Sequence, residues 1–245
     1  METTSWQQWL IVIPARMGSE RLKNKPLQLL GNKPLIVRTY ENLATLCSSG
    51  ATAIVATDHQ EILQVCAKYS IKAVMTNPNH QSGTDRVFEV SKQHSQPFVM
   101  NLQGDEPFMN HKDIEKLMKF MESNQQADLA TLVYASGDGE KYQNPNCVKA
   151  VGTLSGRALY FSRSPIPYLK PEQKLQYWQH QGVYAYRRES LAKFCGLPPS
   201  NLEKQERLEQ LRALENGMHI QLIEANHPSI GIDTIEDLKA AHALL

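Results

Sequence analysis

The chain has 245 residues, enough for one large core or for one core with a smaller appendage. Its 26 Lys and Arg balance 25 Asp and Glu to a net charge of +1, so no global field draws it to nucleic acid or to an anionic membrane, and any basic site is local. Cys47, Cys66, Cys147 and Cys195 are widely spaced, with no C-x-x-C pair and no histidines at zinc spacing, which argues for reduced thiols over a disulfide framework or a structural zinc. The opening METTSWQQW lacks the basic region and long apolar run of a secretory leader, and the apolar run after it breaks at Pro14, too early to span a bilayer. The expectation is a cytoplasmic protein with no membrane and no nucleic-acid partner.

In chain order, short apolar runs alternate with amphipathic stretches. LIVIPA precedes PLIVRTYENLATLC, ATAIVAT precedes EILQVCAKYS, KAVM precedes DRVFEVSKQH, FVMNL precedes DIEKLMKFME, and ADLATLVYA closes the series. This pattern predicts an α/β fold, with a mostly parallel central sheet covered by helices on both faces. After about Ser136 the pattern loosens into turn-rich sequence and then into the strand-like RALYFSR and QGVYAYR. A helix is predicted over LEKQERLEQLRALENG, with Gly217 as its C-terminal glycine. The tail reads as strand HIQLIEA and helix TIEDLKAAHALL, with Thr234 at the N-cap and Asp237 three residues later. The organisation expected is one domain over 1–245 with a smaller β-rich inserted region at about 148–202.

Ligands of open α/β sheets bind beyond the carboxyl ends of the strands, so the residues after each apolar run carry the functional signal. After the first run come Arg16, Arg21, Lys23 and Lys25, with Gly18 and Ser19 among them. Such a loop is either a solvated surface or an anion site, and Arg forks, a Lys point charge and accessible backbone N–H groups suit phosphate oxygens. It carries neither the dinucleotide G-x-G-x-x-G pattern nor the P-loop pattern. The run FVMNL leads into Gln103, Gly104, Asp105 and Glu106; a carboxylate there is either a water-facing turn or a Mg²⁺ ligand acting together with substrate phosphates, and Asp105 is the first metal candidate. Asp233 is a second, with helix capping as its alternative. SGTDR, Ser82 to Arg86, opens a helix and either caps it or hydrogen-bonds a base or ribose.

With these stretches in view, the chain resembles the 3-deoxy-manno-octulosonate cytidylyltransferases, the CMP-Kdo synthetases of bacterial lipopolysaccharide synthesis. IPARMGSERLKNKPL resembles the family's P-A-R-x-x-S-x-R-L-P-G-K-P-L. ATD, SGTDR, NLQGDEP, LYFSRSPIP, HQGVYAYR, LEQLRALENG and GIDTIEDL follow in the family's order over nearly the whole chain. The resemblance implies a nucleotidyltransferase fold of Rossmann-like type whose β-rich insertion serves dimerisation. It implies a reaction in which CTP and the acid sugar Kdo give CMP-Kdo and pyrophosphate, with Mg²⁺ as cofactor and a homodimer as the assembly. Neighbouring activities are cytidylyl transfer to 8-amino-Kdo or to a nonulosonate such as sialic acid.

Carried over residue by residue, Asp105 and Asp233 match the family's metal-binding aspartates, and Arg16, Arg21 and Lys25 match the cations around the phosphates. Lys25, Asp105, Asp233 and Arg16 form the implied catalytic set. Ser82, Gly83 and Arg86 match the cytidine pocket, with Gln103 between nucleotide and sugar. Arg163, His180, Tyr184, Glu209 and Gln210 match the sugar side. The chain departs from the family at Lys23 and Asn24, where proline and glycine are usual, and at Gln181, where an apolar residue is preferred. Asn tolerates a positive φ better than most residues, so the turn at 24 is expected to survive.

Overall fold

The computed structural model describes residues 5–18, 21–170 and 172–245, and the chain gathers into two compact units, Met1–His111 with Ser229–Leu245, and Lys112–Pro228. Ser19, read as part of the anion loop, lies outside the described residues.

The first unit begins with β1 (Trp9–Ala15), in which every residue is buried. A strand with no polar side chain to offer water suits the middle of a parallel sheet. A 3₁₀ turn follows at Lys25–Leu27, then the short hairpin β2 (Leu29–Leu30) and β3 (Lys33–Pro34). The amphipathic stretch after it forms two helices rather than one, α1 (Leu35–Glu41) and α2 (Ala44–Ser48). Next come β4 (Thr52–Thr57), α3 (Gln60–Lys68), β5 (Ala73–Met75), α4 (Gly83–Ser91) and β6 (Phe98–Leu102). β1 pairs in parallel with β4 on one side and β6 on the other, and β4 pairs in parallel with β5, giving the order β6-β1-β4-β5. Four parallel strands place their carboxyl ends on one edge, and that edge carries the site.

The second unit contains α5 (His111–Ser123), β7 (Leu129–Ser136), α6 (Gly139–Gln143), β8 (Lys149–Gly152), β9 (Ala158–Ser162), β10 (Tyr177–Arg187), α7 (Arg188–Cys195), α8 (Asn201–Glu206), α9 (Leu211–Glu215) and β11 (Ile220–Glu224). β7 is parallel to β11 and antiparallel to β10; β10, β8 and β9 continue antiparallel, so the antiparallel strands β8 to β10 fall within the 148–202 interval. The chain then returns to the first unit with α10 (Ile235–His242), capped by Thr234 and Asp237 as its sequence indicates.

The helix expected over LEKQERLEQLRALENG is interrupted. Arg207 takes a left-handed conformation, φ 53°, and ends α8; α9 starts four residues later. Tertiary bonds outweigh helix propensity here. The Arg163 guanidinium donates to the carbonyls of Glu206 at 2.7 Å and Arg207 at 3.3 Å, and the Glu206 carboxylate accepts from the Ser162 hydroxyl and the Arg163 N–H. Gly217, φ 71°, follows α9 where the C-terminal glycine is expected.

Candidate functional site

β1 ends at Ala15 and delivers Arg16 to the carboxyl edge of the sheet, exposed and lining a cavity of about 400 Å³ together with Arg21, Lys25, Gln103, Asp105 and Asp233. The loop re-enters ordered structure through Asn24, whose φ of 53° and ψ of 36° are left-handed. The asparagine thus makes the left-handed turn expected at this position. Pro26, two residues on, is buried, so Lys25 projects from a fixed turn rather than from a free loop.

Asp105 reaches the cavity directly after β6, whereas Asp233 arrives by packing. Leu22 of the loop, Leu30, Leu35, Ile232, Leu238 and Ala241 form one buried cluster, and the Ile232 N–H donates to the Asp105 carbonyl at 2.9 Å. The two aspartates, 128 positions apart in sequence, are held by adjacent backbone. Between them lies the Lys25 ammonium, hydrogen-bonded to Asp105 Oδ2 and, at 2.8 Å, to Asp233 Oδ1. Arg21 Nη2 adds an ion pair with Asp233 Oδ2 at 3.2 Å. Burial opposes the charge on Lys25, but the Asp105 and Asp233 carboxylates outweigh it and hold the ammonium above its usual range.

Glu106 turns the other way, into the protein. Burial, then the charges of Asp105 and Asp233, push its carboxyl up to about 8, so at neutral pH it adds no third negative charge. A Cβ at Gly231 would stand 3.2 Å from Glu106 Oε1, so the carboxyl would have to shift by a few tenths of an ångström to admit it.

Two carboxylates converging on one ammonium form a place built for a cation. They fit Mg²⁺, which takes one or two carboxylates and completes its shell with phosphate oxygens and water. Among the described residues no group of three or more His, Cys, Asp or Glu gathers into a metal cage.

A smaller cavity of about 160 Å³ shares Pro14, Ala15, Arg16 and Gln103 with the first and is closed by His80, Gln81, Ser82, Gly83 and Arg86. Ser82 caps α4 in a reciprocal box with Asp85, so capping is its structural role. A Cβ on Gly83 would meet Pro14 Cγ at 3.3 Å, which explains a glycine where α4 approaches β1. Arg86 is 3% exposed and turned inward: Nη2 pairs with Asp58 Oδ2 at 2.6 Å and Nη1 bonds Thr76 Oγ1. It braces the residue that follows β4. Gln103 Nε2 donates to Asn101 Oδ1 at 2.9 Å, and Asn101 in turn donates to Thr84.

The remaining sequence-derived candidates lie in the second unit. His180 contacts the Thr131 hydroxyl at 2.9 Å and packs its ring against Phe161 and Tyr184; burial pushes its pKa down to about 3, so the ring is neutral. Burial, then Glu209, raises the Tyr184 hydroxyl well above its usual value. Gln210 is buried, and its Nε2 has no hydrogen-bond partner among the described residues. The Arg163 guanidinium donates to the carbonyls of Pro145, Glu206 and Arg207. Gln181 fills its buried slot by donating to the His227 carbonyl at 2.8 Å, beside a register shift between Gln181 and Tyr184.

Asp58, Asn101 and Glu106 take part in the first unit without having been sequence candidates for a site role. Asp58 and Glu106 each carry a signal, an acid soon after an apolar run; Asn101, inside its strand, carries none. No helix among the described residues is long and apolar enough to cross a membrane.

Comparison with known proteins matches residues 10–220 to the family model described as cytidylyltransferase. A 3-deoxy-manno-octulosonate cytidylyltransferase of Elusimicrobium minutum is 46% identical over 238 residues, covering 95% of this chain and 96% of that one. Another, from Escherichia coli, is 41% identical over 236 residues, covering 96% and 95%. A solved structure of CMP:2-keto-3-deoxy-manno-octonic acid synthetase complexed with CTP superposes with a TM-score of 0.90 at 40% identity, over 96% of this chain and 97% of that one.

Proposed function

The chain belongs to the 3-deoxy-manno-octulosonate cytidylyltransferases, a family of nucleotidyltransferases, and on that premise we propose that it joins CTP to Kdo, releasing pyrophosphate and forming CMP-Kdo for lipopolysaccharide synthesis. The observation that carries this reading is the convergence of Lys25, Arg21, Asp105 and Asp233 in one cavity at the carboxyl edge of the sheet.

In this reaction a sugar hydroxyl oxygen forms a bond to the α-phosphorus as the bridge to the β-phosphate breaks, so catalysis is mainly positioning and stabilisation of charge. Arg16, Arg21 and Lys25 supply three cations for the triphosphate and the departing pyrophosphate. Asp105 and Asp233 would hold Mg²⁺, which when bound neutralises phosphate charge. Because the Lys25 ammonium lies between those two carboxylates, the lysine would exchange a carboxylate partner for a phosphate oxygen to contact the bound nucleotide. The smaller cavity, with Ser82, Gly83 and Gln103 in its wall, is assigned to the cytidine. In the second unit His180, Tyr184, Glu209 and Gln210 are assigned to sugar hydroxyls, for which a neutral imidazole, a protonated phenol and an amide offer donors and acceptors.

We assign the enzyme to the cytoplasm, where its nucleotide is made, and to a homodimer built on the 148–202 region. The β8–β9 hairpin supports the dimer, since Leu154 and Leu159 stand exposed on it. Light scattering at micromolar concentration is expected to give a dimer mass, and a monomer mass would contradict the assignment. The activity itself is tested by incubating pure protein with CTP, Kdo and Mg²⁺ and identifying the product by mass. CMP-Kdo formation abolished by EDTA and restored by Mg²⁺ is expected; pyrophosphate release that needs no sugar would contradict it.

A further inference from the structure

His80 belongs neither to the cations nor to the carboxylate pair of the larger cavity. It stands between β5 and α4, lines the smaller cavity beside Ser82, Gly83 and Gln103, and keeps 22% of its side chain exposed. Its Nε2 hydrogen-bonds Glu89 Oε2 on α4, and the same carboxylate oxygen accepts the Asn77 N–H at 3.0 Å. The Asn77 N–H, followed by the His80 contact, outweighs burial and holds the Glu89 carboxyl below its usual range. An ionised carboxylate only accepts, so the hydrogen of this contact sits on Nε2. With that hydrogen on Nε2, Nδ1 accepts unless it too carries a proton, and among the described residues Nδ1 makes no hydrogen bond.

We propose that His80 reads the base of the bound nucleotide through Nδ1, with Glu89 as the positioning residue that fixes its ring, and that this pair favours cytosine over uracil. The inference rests on the assignment of CTP as the nucleotide. The two pyrimidines differ at position 4: cytosine presents an amino donor where uracil presents a carbonyl acceptor. Placed at position 4, an Nδ1 acceptor satisfies the first and leaves the second facing another lone pair; at position 3 the preference would reverse, because uracil carries N–H there and cytosine a lone pair. Because the site keeps some access to water, the discrimination from this contact is about tenfold rather than the larger factors of sealed sites.

The test is calorimetric binding of CTP and of UTP, each with Mg²⁺ and no sugar, to the full-length protein and to His80→Ala, His80→Asn and Glu89→Gln. The wild-type protein should prefer CTP. His80→Ala should weaken CTP binding about tenfold while leaving UTP nearly unchanged, collapsing the ratio. His80→Asn, whose amide oxygen stands roughly where Nδ1 does, should recover most of it. Glu89→Gln can donate to the ring, admits the opposite tautomer and should narrow the ratio; with His80→Asn it carries the test if the alanine variant does not fold. Equal weakening of CTP and UTP, or no change in either, would overturn the inference and leave His80 as a clasp between its loop and α4. A wild-type protein that binds neither nucleotide, or both alike, overturns the CTP assignment and this inference with it.

Discussion

Lys25→Ala removes the ammonium between Asp105 and Asp233, and Lys23→Ala removes an equal charge two residues earlier. The structure predicts very different consequences. The Lys25 side chain is 16% exposed, against 25% for Asp105 and 44% for Asp233. At the 2.8 Å separation from Asp233, an effective dielectric near 20 gives an attraction of about 6 kcal/mol before desolvation. Desolvation of the lysine and the solvent access of Asp233 offset most of this, leaving a net loss of about 2 kcal/mol when the cation is deleted and the carboxylates face each other. That corresponds to a melting temperature lower by roughly 4–8 °C. Because the folded pKa of Lys25 is raised, its contribution is complete below the unfolded value near 10.4 and is lost only as pH rises through the higher folded value, so the deficit should be constant across neutral pH. Lys23 is exposed, and among the described residues only its backbone carbonyl is engaged, by Gln28 Nε2 at 2.8 Å. Its removal should change stability by less than about 0.5 kcal/mol. In a pyrophosphate-release assay Lys25→Ala should lose about 10²–10³-fold in turnover, the usual effect of deleting one fixed charge donor, while Lys23→Ala stays close to wild type. Equal losses for the two variants, in melting or in turnover, would refute the assignment of Lys25.

Two further expectations concern pH and packing. The unfolded chain protonates His180 below about 6.5 but the folded ring resists until about 3, so stability is lost as pH falls from 6.5. The slope is at most about 1.4 kcal/mol per pH unit, or about 2 kcal/mol by pH 5, and His180→Gln should lack it; melting curves at pH 7 and pH 5 that drop equally for both proteins would contradict this. At Gly104 a Cβ would lie 3.0 Å from the Pro14 carbonyl oxygen and 3.3 Å from Ile36 Cδ1, so Gly104→Ala must part the ends of β1 and β6. It should cost about 1–3 kcal/mol and raise the Mg²⁺ concentration needed for half-maximal turnover, by displacing Asp105; an unchanged melting temperature would show that the strands yield freely.

The parallel sheet of the first unit was legible because its strands are buried on both faces, so β1, β4 and β6 read as unbroken apolar runs and the residues after them could be named. The cap at Thr234 and the left-handed turn at Asn24 were legible for a local reason, since each depends on its own side chain and backbone. Features that depend on distant partners left no mark. Nothing near position 25 shows that its ammonium lies between carboxylates 80 and 208 residues away. The resemblance puts Arg86 in the cytidine pocket, and its sequence neighbours do not show that Asp58 and Thr76 engage its guanidinium. The break at Arg207 is invisible to helical periodicity because Arg163, 44 residues earlier, takes the carbonyl there. The pairing of His80 with Glu89 spans only nine residues, but it acquires meaning only from the cavity beside it.

Cytidylyl transfer to Kdo can be set against its neighbouring activities by competition. Pure protein is given CTP, Mg²⁺ and equal amounts of Kdo, 8-amino-Kdo and sialic acid, and the CMP-sugars formed are resolved by mass as pyrophosphate appears. CMP-Kdo should dominate; a dominant CMP-sialic acid or CMP-8-amino-Kdo product would rule out Kdo as the preferred acceptor.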